Sequence, residues 1–241
     1  MSGTRSRSPR APVTEALIVA HGQPGAPGPA QAEIARLAGK VAALLPGWQV
    51  RGATLAMPGA LDEALAAALA PPLVYPLFMS AGWFTTKALP ERLDGRAGPI
   101  LMPLGCEPAL AGLAAQAIKE AAREQGWPTE QVTLILAAHG SGRSRNPARV
   151  SEAFAQALAD QLPLAAIRVG FIEQAPRLAE AARAAGPTAF CLPFFAAGGG
   201  HVRADIPEAL AKAGFGGVLL EPLGLRPEIP ALIAKSLAAS A

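Results

Sequence analysis

A duplicated α/β fold is the class this sequence predicts: two similar units, each a mostly four-stranded parallel sheet flanked by helices. Three observations predict it. Short apolar runs alternate with stretches of helical periodicity, the pattern of βαβ units. Most of those runs are continuously apolar and do not alternate, as strands buried on both faces should be. The third observation is internal repetition. His21-Gly22 recurs as His139-Gly140, 118 residues on. Pro76-Leu77-Phe78 recurs as Pro193-Phe194-Phe195 and Pro90-Glu91 as Pro207-Glu208, both 117 on. Pro103-Leu104-Gly105 with Pro108 recurs as Pro222-Leu223-Gly224 with Pro227, 119 on. Anchors in one order at near-constant spacing indicate a duplicated unit of roughly 120 residues. The boundaries read as a tail over 1–12, a first unit over 13–127 and a second over 128–241.

In the first half, strands are expected at Glu15–Ala20, Trp48–Ala56, Leu73–Phe78 and Pro99–Pro103. Helices are expected at Ala30–Leu45, Ala60–Leu69 and from Pro108 to Gln125, with the Pro/Gly-rich stretch 23–29 as a loop. The second half repeats the order. Val132–Ala138, Ala165–Ile172, Pro187–Phe195 and Gly217–Glu221 read as strands; Ala148–Gln161, Pro207–Ala213 and Arg226–Ala239 read as helices.

Composition narrows the class. The 241 residues are 51% hydrophobic, enough for a sizeable core. The formal net charge of +3 equals the contribution of Arg5, Arg7 and Arg10, which lie in an acid-free, Pro-containing tail that reads as disordered. Residues 13–241 are therefore neutral overall, and no nucleic-acid partner is expected. No apolar segment has the length and continuity of a membrane span, and the tail lacks the apolar core of a secretory signal. The two cysteines, Cys106 and Cys191, are far apart and outside any metal-ligand spacing, so a reduced cytoplasmic setting is expected.

The chain has only three histidines, and each stands at or just past the end of an apolar run. In open α/β sheets that edge is where ligands bind. His139 follows the strand LILAA, Glu173 follows VGFI, and His201 follows the Gly198–Gly200 run. Two imidazoles and a carboxylate suit a borderline divalent ion such as Co2+, Fe2+, Ni2+ or Zn2+, and imidazole also accepts protons near neutral pH. The first half has Phe84 where the second has His201, and Ala56 or Leu55 where the second has Glu173. Only the strand-end histidine is present twice. Arg143, Arg145 and Arg149 follow His139, and Arg203 follows His201; guanidinium forks match carboxylates. Asp205 reads as a helix cap or pairing residue. Trp83 and Phe84 are candidates either for the facing wall of a cleft or for core packing.

The motifs LILAAHGS at 134–141, VGFIEQAPRLAEAA at 169–182 and LPFFAAGGGHVRADIP at 192–207, with LIVAHG at 17–22 and YPLFMSAG at 75–82, resemble those of the class II tetrapyrrole chelatases. The likeness is to the long, two-domain CbiX-type sirohydrochlorin chelatases and covers nearly the whole chain after the tail. The resemblance implies two chelatase-like domains facing each other across a cleft, and the fusion of both halves in one chain leads us to expect a monomer with pseudo-twofold symmetry. The resemblance also implies a cytoplasmic lyase that inserts Co2+ or Fe2+, with Ni2+ a further candidate, into sirohydrochlorin on the route to cobalamin or sirohaem. The metal is then a substrate, and no organic cofactor is expected. By position, His139 and His201 match the family's metal-binding histidines and Glu173 the acidic residue near the metal. These three are the expected catalytic residues. Ser141, Gly199, Gly200 and the four arginines are the expected macrocycle-binding residues. The chain departs from many long members in keeping its histidine pair in the carboxy-terminal half.

Three other classes compete. A histidine phosphatase would carry Arg-His-Gly, whereas Ala20 and Ala138 precede the histidines here. A serine hydrolase would need a G-x-S-x-G elbow, which neither Ser141 nor Ser80 supplies. A non-catalytic tetrapyrrole or metal carrier on the same fold is the alternative from another class.

Overall fold

The structure, a computed structural model, describes residues 14–142 and 144–241. The tail and Arg143 lie outside the described residues. The first half runs β1 (Thr14–Ala20), α1 (Pro27–Ala43), β2 (Trp48–Thr54), α2 (Ala60–Ala66), β3 (Leu73–Pro76), a π-helical turn at Phe84–Ala88 continuing into α3 (Leu89–Leu93), and α4 (Leu110–Gln125). The second runs β4 (Thr133–Ala138), α5 (Asn146–Ala159), β5 (Ala166–Phe171), α6 (Leu178–Ala182), β6 (Ala189–Pro193), a second π-helical turn at His201–Asp205 continuing into α7 (Ile206–Ala213), β7 (Val218–Leu219) and α8 (Ile229–Ala238).

All pairings are parallel, in the orders β2-β1-β3 and β5-β4-β6-β7. The repeated first strand is central in each sheet, and both of its faces are buried. Its alternate residues enter different cores. Ala16, Ile18 and Ala20 of β1 join Leu134, Leu136 and Ala138 of β4 in one cluster shared by the halves. Leu17 and Val19 pack outward with Leu61, Leu65 and Leu89, while Ile135 and Ala137 pack outward with Leu178, Ile206 and Leu210. Each continuous apolar run thus serves two layers at once, which is why it does not alternate. Between the sheets α1 packs on α8 and α4 on α5.

Three expectations change. The fourth strand expected at Pro99–Pro103 contracts to a single bridge, Val74 with Ile100. Val74 donates to Pro99 O and accepts from Leu101 N, at 2.9 and 2.8 Å, but Pro99 has no N–H for the next rung. Its counterpart Val218 has one, and the second half keeps β7. Helix α1 begins inside the stretch expected to be a loop, because Pro27 at the first position fills a site where no donor is needed. The helices α3 and α6 were not foreseen; five residues are too few to show a helical period.

Polar groups tie the halves together. Glu107, in the first half, accepts hydrogen bonds from Tyr75 Oη at 3.1 Å and from Ser236 Oγ of α8 at 2.5 Å. Burial beside that carboxylate pushes the Tyr75 phenol well above its ordinary range. Both cysteines are free, and burial pushes the Cys191 thiol up to about 12. No helix among the described residues is long and apolar enough to cross a membrane.

Candidate metal centre

The end of β4 lies between two other strand ends. Beyond it, Glu173 N donates to His139 O at 2.9 Å, one rung past β5, and Phe194 N donates to Ala137 O at 2.7 Å on the β6 side. At Gly140 the backbone turns with φ 72°, and a Cβ there would stand 2.7 Å from Gln174 Cγ, so only glycine fits. The turn points the Gly140 carbonyl back at the imidazole, where His139 Nδ1 meets it at 3.0 Å. A carbonyl only accepts, so Nδ1 carries the proton and the Nε2 lone pair faces outward.

His201 arrives by another route. After β6 the chain crosses the Gly198–Gly200 run and enters the π-helical turn at His201 itself. The residue therefore lies past the strand, on the turn that opens α7. Its Nδ1 meets Asp205 Oδ2 at 2.5 Å, again a group that accepts when ionised, and again Nε2 is left open. The two imidazoles stand edge to face, with centroids 4.6 Å apart at 88°. Glu173 Oε1 is 3.8 Å from His139 Nε2. One ligand atom from each of His139, Glu173 and His201 can be chosen so that all lie within 4.8 Å of one another. The three side chains are between 39% and 49% exposed, so the centre opens to solvent. Phe195 backs it, its ring 6.4 Å from His139 and 6.3 Å from His201. Two nitrogens and one carboxylate oxygen could hold a borderline divalent ion while leaving coordination positions open to a second ligand.

The other expected site residues within the described range follow His139 or His201 closely in the chain, or in the case of Gly199 and Gly200 directly precede His201. Ser141 N donates to Gln174 Oε1 at 2.7 Å, and Ser144 N donates to Ser141 Oγ at 3.2 Å. Arg145, at the start of α5, and Arg149, one turn on, are exposed, as is Arg203 in the π-helical turn. None of the three has an ion-pair partner among the described residues. Gly199 and Gly200 lie against the first half: a Cβ on either would stand 3.4 or 3.3 Å from Gln23 Nε2. A second crossing runs the other way, where Asn146 Nδ2 donates to Ala81 O at 2.6 Å. Neither Gln23 nor Asn146 was expected from the sequence, because each meets a partner far along the chain.

The first half carries the same frame with other contents. His21 Nδ1 meets Gly22 O at 2.9 Å, and Gly22 turns at φ 77°. Ala56 N donates to His21 O at 2.9 Å, so Ala56, and not Leu55, stands in the place of Glu173. Phe84 occupies the place of His201, its ring 4.5 Å from His21 at 78°. Ala88 closes this π-helical turn where Asp205 closes the other. Trp83 and Phe84 are 60% and 37% exposed, so neither is a buried core residue.

The chain is similar to known proteins in family and fold. The CbiX family model matches residues 133–240. The fold is similar to that of CbiX, the terminal enzyme for biosynthesis of sirohaem in denitrifying bacteria, with 49% identity, a TM-score of 0.86 and coverage of 95% of this chain and 99% of that one. The structure of SirB from Bacillus subtilis with Fe3+ shares the fold at 18% identity, with a TM-score of 0.73 and coverage of 95% and 96%. The sirohydrochlorin chelatase SirB from Bacillus subtilis subspecies spizizenii, in complex with cobalt, does so at 16% identity, with a TM-score of 0.69 and coverage of 95% of each chain. No curated protein matches the chain. On its match along almost the full length of both chains, this protein belongs to the CbiX family of class II tetrapyrrole chelatases.

Proposed function

We propose that this protein is a sirohydrochlorin chelatase that inserts a divalent metal, Co2+ or Fe2+ with Ni2+ a further candidate, using the second half of the chain. The observation that carries the reading is the convergence of ligand atoms from His139, Glu173 and His201 to within 4.8 Å. The pathway would be that of sirohaem or cobalamin. The metal is a substrate held in transit. His139 and His201 present Nε2 and Glu173 presents Oε1, three ligands from three loops, so the ion keeps open positions through which the macrocycle nitrogens replace water. Insertion releases two pyrrole N–H protons for each divalent ion bound. The imidazoles and the carboxylate are the groups positioned to accept those protons as the metal leaves them.

The macrocycle carries many carboxylates. The unpaired guanidiniums of Arg145, Arg149 and Arg203 are matched to them, with Arg143 as a further candidate and Ser141, Gly199 and Gly200 forming the loops alongside. Charge-assisted contacts of this kind at the rim would orient the ring over the metal. Trp83 and Phe84 offer the flat face of the ring an apolar wall from the first half.

The test is anaerobic insertion, followed by absorbance, with sirohydrochlorin and Co2+, Fe2+ or Ni2+ supplied in turn. Insertion above the spontaneous rate, lost in His201→Ala and kept in His21→Ala, is the expected outcome, and the relative rates rank the metals. Metal or tetrapyrrole binding without turnover would replace this reading with that of a carrier.

A further inference from the structure

We infer that Asp205 is a positioning residue for metal uptake, acting through His201; the inference rests on the metal-centre reading above. Its Oδ2 meets His201 Nδ1 at 2.5 Å, four residues back along the chain. An ionised carboxylate can only accept, so the contact places the proton on Nδ1 and leaves the Nε2 lone pair free for an ion shared with His139 and Glu173. Asp205 itself is outside the set of converging ligand atoms. It therefore stands behind the ligand and not beside it.

The alternative role at this position is a helix cap. Asp205 precedes α7, but its side chain makes no capping bond, and Pro207 has no N–H to offer one. Nor does the pair build the turn. The same wide turn forms in the first half, where Leu89 N–H reaches Phe84 O as Ile206 N–H reaches His201 O, with Phe84 and Ala88 in place of the histidine and the aspartate. The turn is thus a property of the duplicated backbone, while the His–Asp contact is confined to the half that holds the ligand set. His139 reaches the same orientation through the Gly140 carbonyl, and His21 keeps that device. His201 has no carbonyl in that place, and Asp205 supplies the acceptor.

Co2+ titration of the full chain without tetrapyrrole, read by visible absorption, tests this apart from turnover. Asp205→Ala is expected to weaken Co2+ binding about 10- to 100-fold, the range for a partner that orients a metal-bound histidine. Asp205→Asn, which keeps a neutral acceptor, should stay within about threefold of wild type if orientation is what the contact provides. In a His201→Ala background, Asp205→Ala should add no further loss, because its effect passes through that ring. Wild-type affinity in Asp205→Ala, equal losses in the Asn and Ala variants, or additivity with His201→Ala would each overturn the inference while leaving the metal centre standing. Failure of the wild type to take up Co2+ would overturn both.

Discussion

The two halves of this protein share a backbone and differ in what it presents. Each has a central strand ending in His-Gly, a glycine at positive φ whose carbonyl orients the imidazole, and a π-helical turn entering a helix. In the second half that turn carries His201 and Asp205, and Glu173 stands beside the histidine. In the first half the same three places hold Phe84, Ala88 and Ala56. The frame persists because it is made of main-chain bonds and core packing, which do not depend on the site's side chains. A residue that disappears with the proposed ligand set, while the turn around it remains, is not there for the fold. His21, kept in a setting without its partners, is held by the frame.

The two halves should differ most at their histidines. His201→Ala is expected to reduce metal insertion to the spontaneous rate, a loss of more than about 100-fold, since even the partner of a metal-bound histidine is worth 10- to 100-fold. His21→Ala should leave the rate within about twofold. Steady-state insertion rates of the two variants side by side decide this.

The next difference is in stability. Glu15, at the start of β1, is fully buried and paired with Arg51 of β2, and it also accepts from Leu69 N at 3.1 Å. The matching positions in the second half hold Thr133 and Arg168. Arg51→Met should cost about 3 kcal/mol, because it leaves a buried charge without its partner. Arg168→Met should cost under about 1 kcal/mol. Denaturant midpoints at equal m-value measure both.

The first half can be given the second half's side chains. The triple variant Phe84→His, Ala88→Asp, Ala56→Glu should raise Co2+ stoichiometry from one to two per chain. Omitting Ala88→Asp should weaken the added site roughly 10-fold or more. Equilibrium dialysis reads both numbers. If the triple variant binds a single ion, the shared frame does not suffice to orient the ligands.

The smallest effect is expected at the wall. Trp83→Ala removes an exposed ring, so it should change the melting midpoint little. It should raise KM for the tetrapyrrole about fivefold, the equivalent of roughly 1 kcal/mol for one aromatic contact. An unchanged KM would remove Trp83 from the binding surface.

The duplicated α/β plan, its principal strands and the convergence of His139, Glu173 and His201 are legible in the amino-acid sequence alone. These are legible because a buried parallel strand needs a continuous apolar run, and because strand ends in such a sheet meet at one edge. Internal repetition then exposed the unequal halves without reference to any other chain. The remaining features depend on how the chain packs. Pro99 ended a ladder that the apolar run alone would have continued. Ala56 was selected over Leu55 by a hydrogen bond to His21, which no offset could choose. Trp83 and Phe84 came to the surface although their composition suited a core equally well. Asp205 found His201 and not a helix end, Gln23 lay down on Gly199 and Gly200, and Asn146 reached Ala81. Local sequence sets which residues are near along one element. Which acceptor faces a given imidazole, and which loop of the other half lies against it, depends on contacts between segments more than 60 residues apart or on a turn of unusual width, and those are properties of the packed chain.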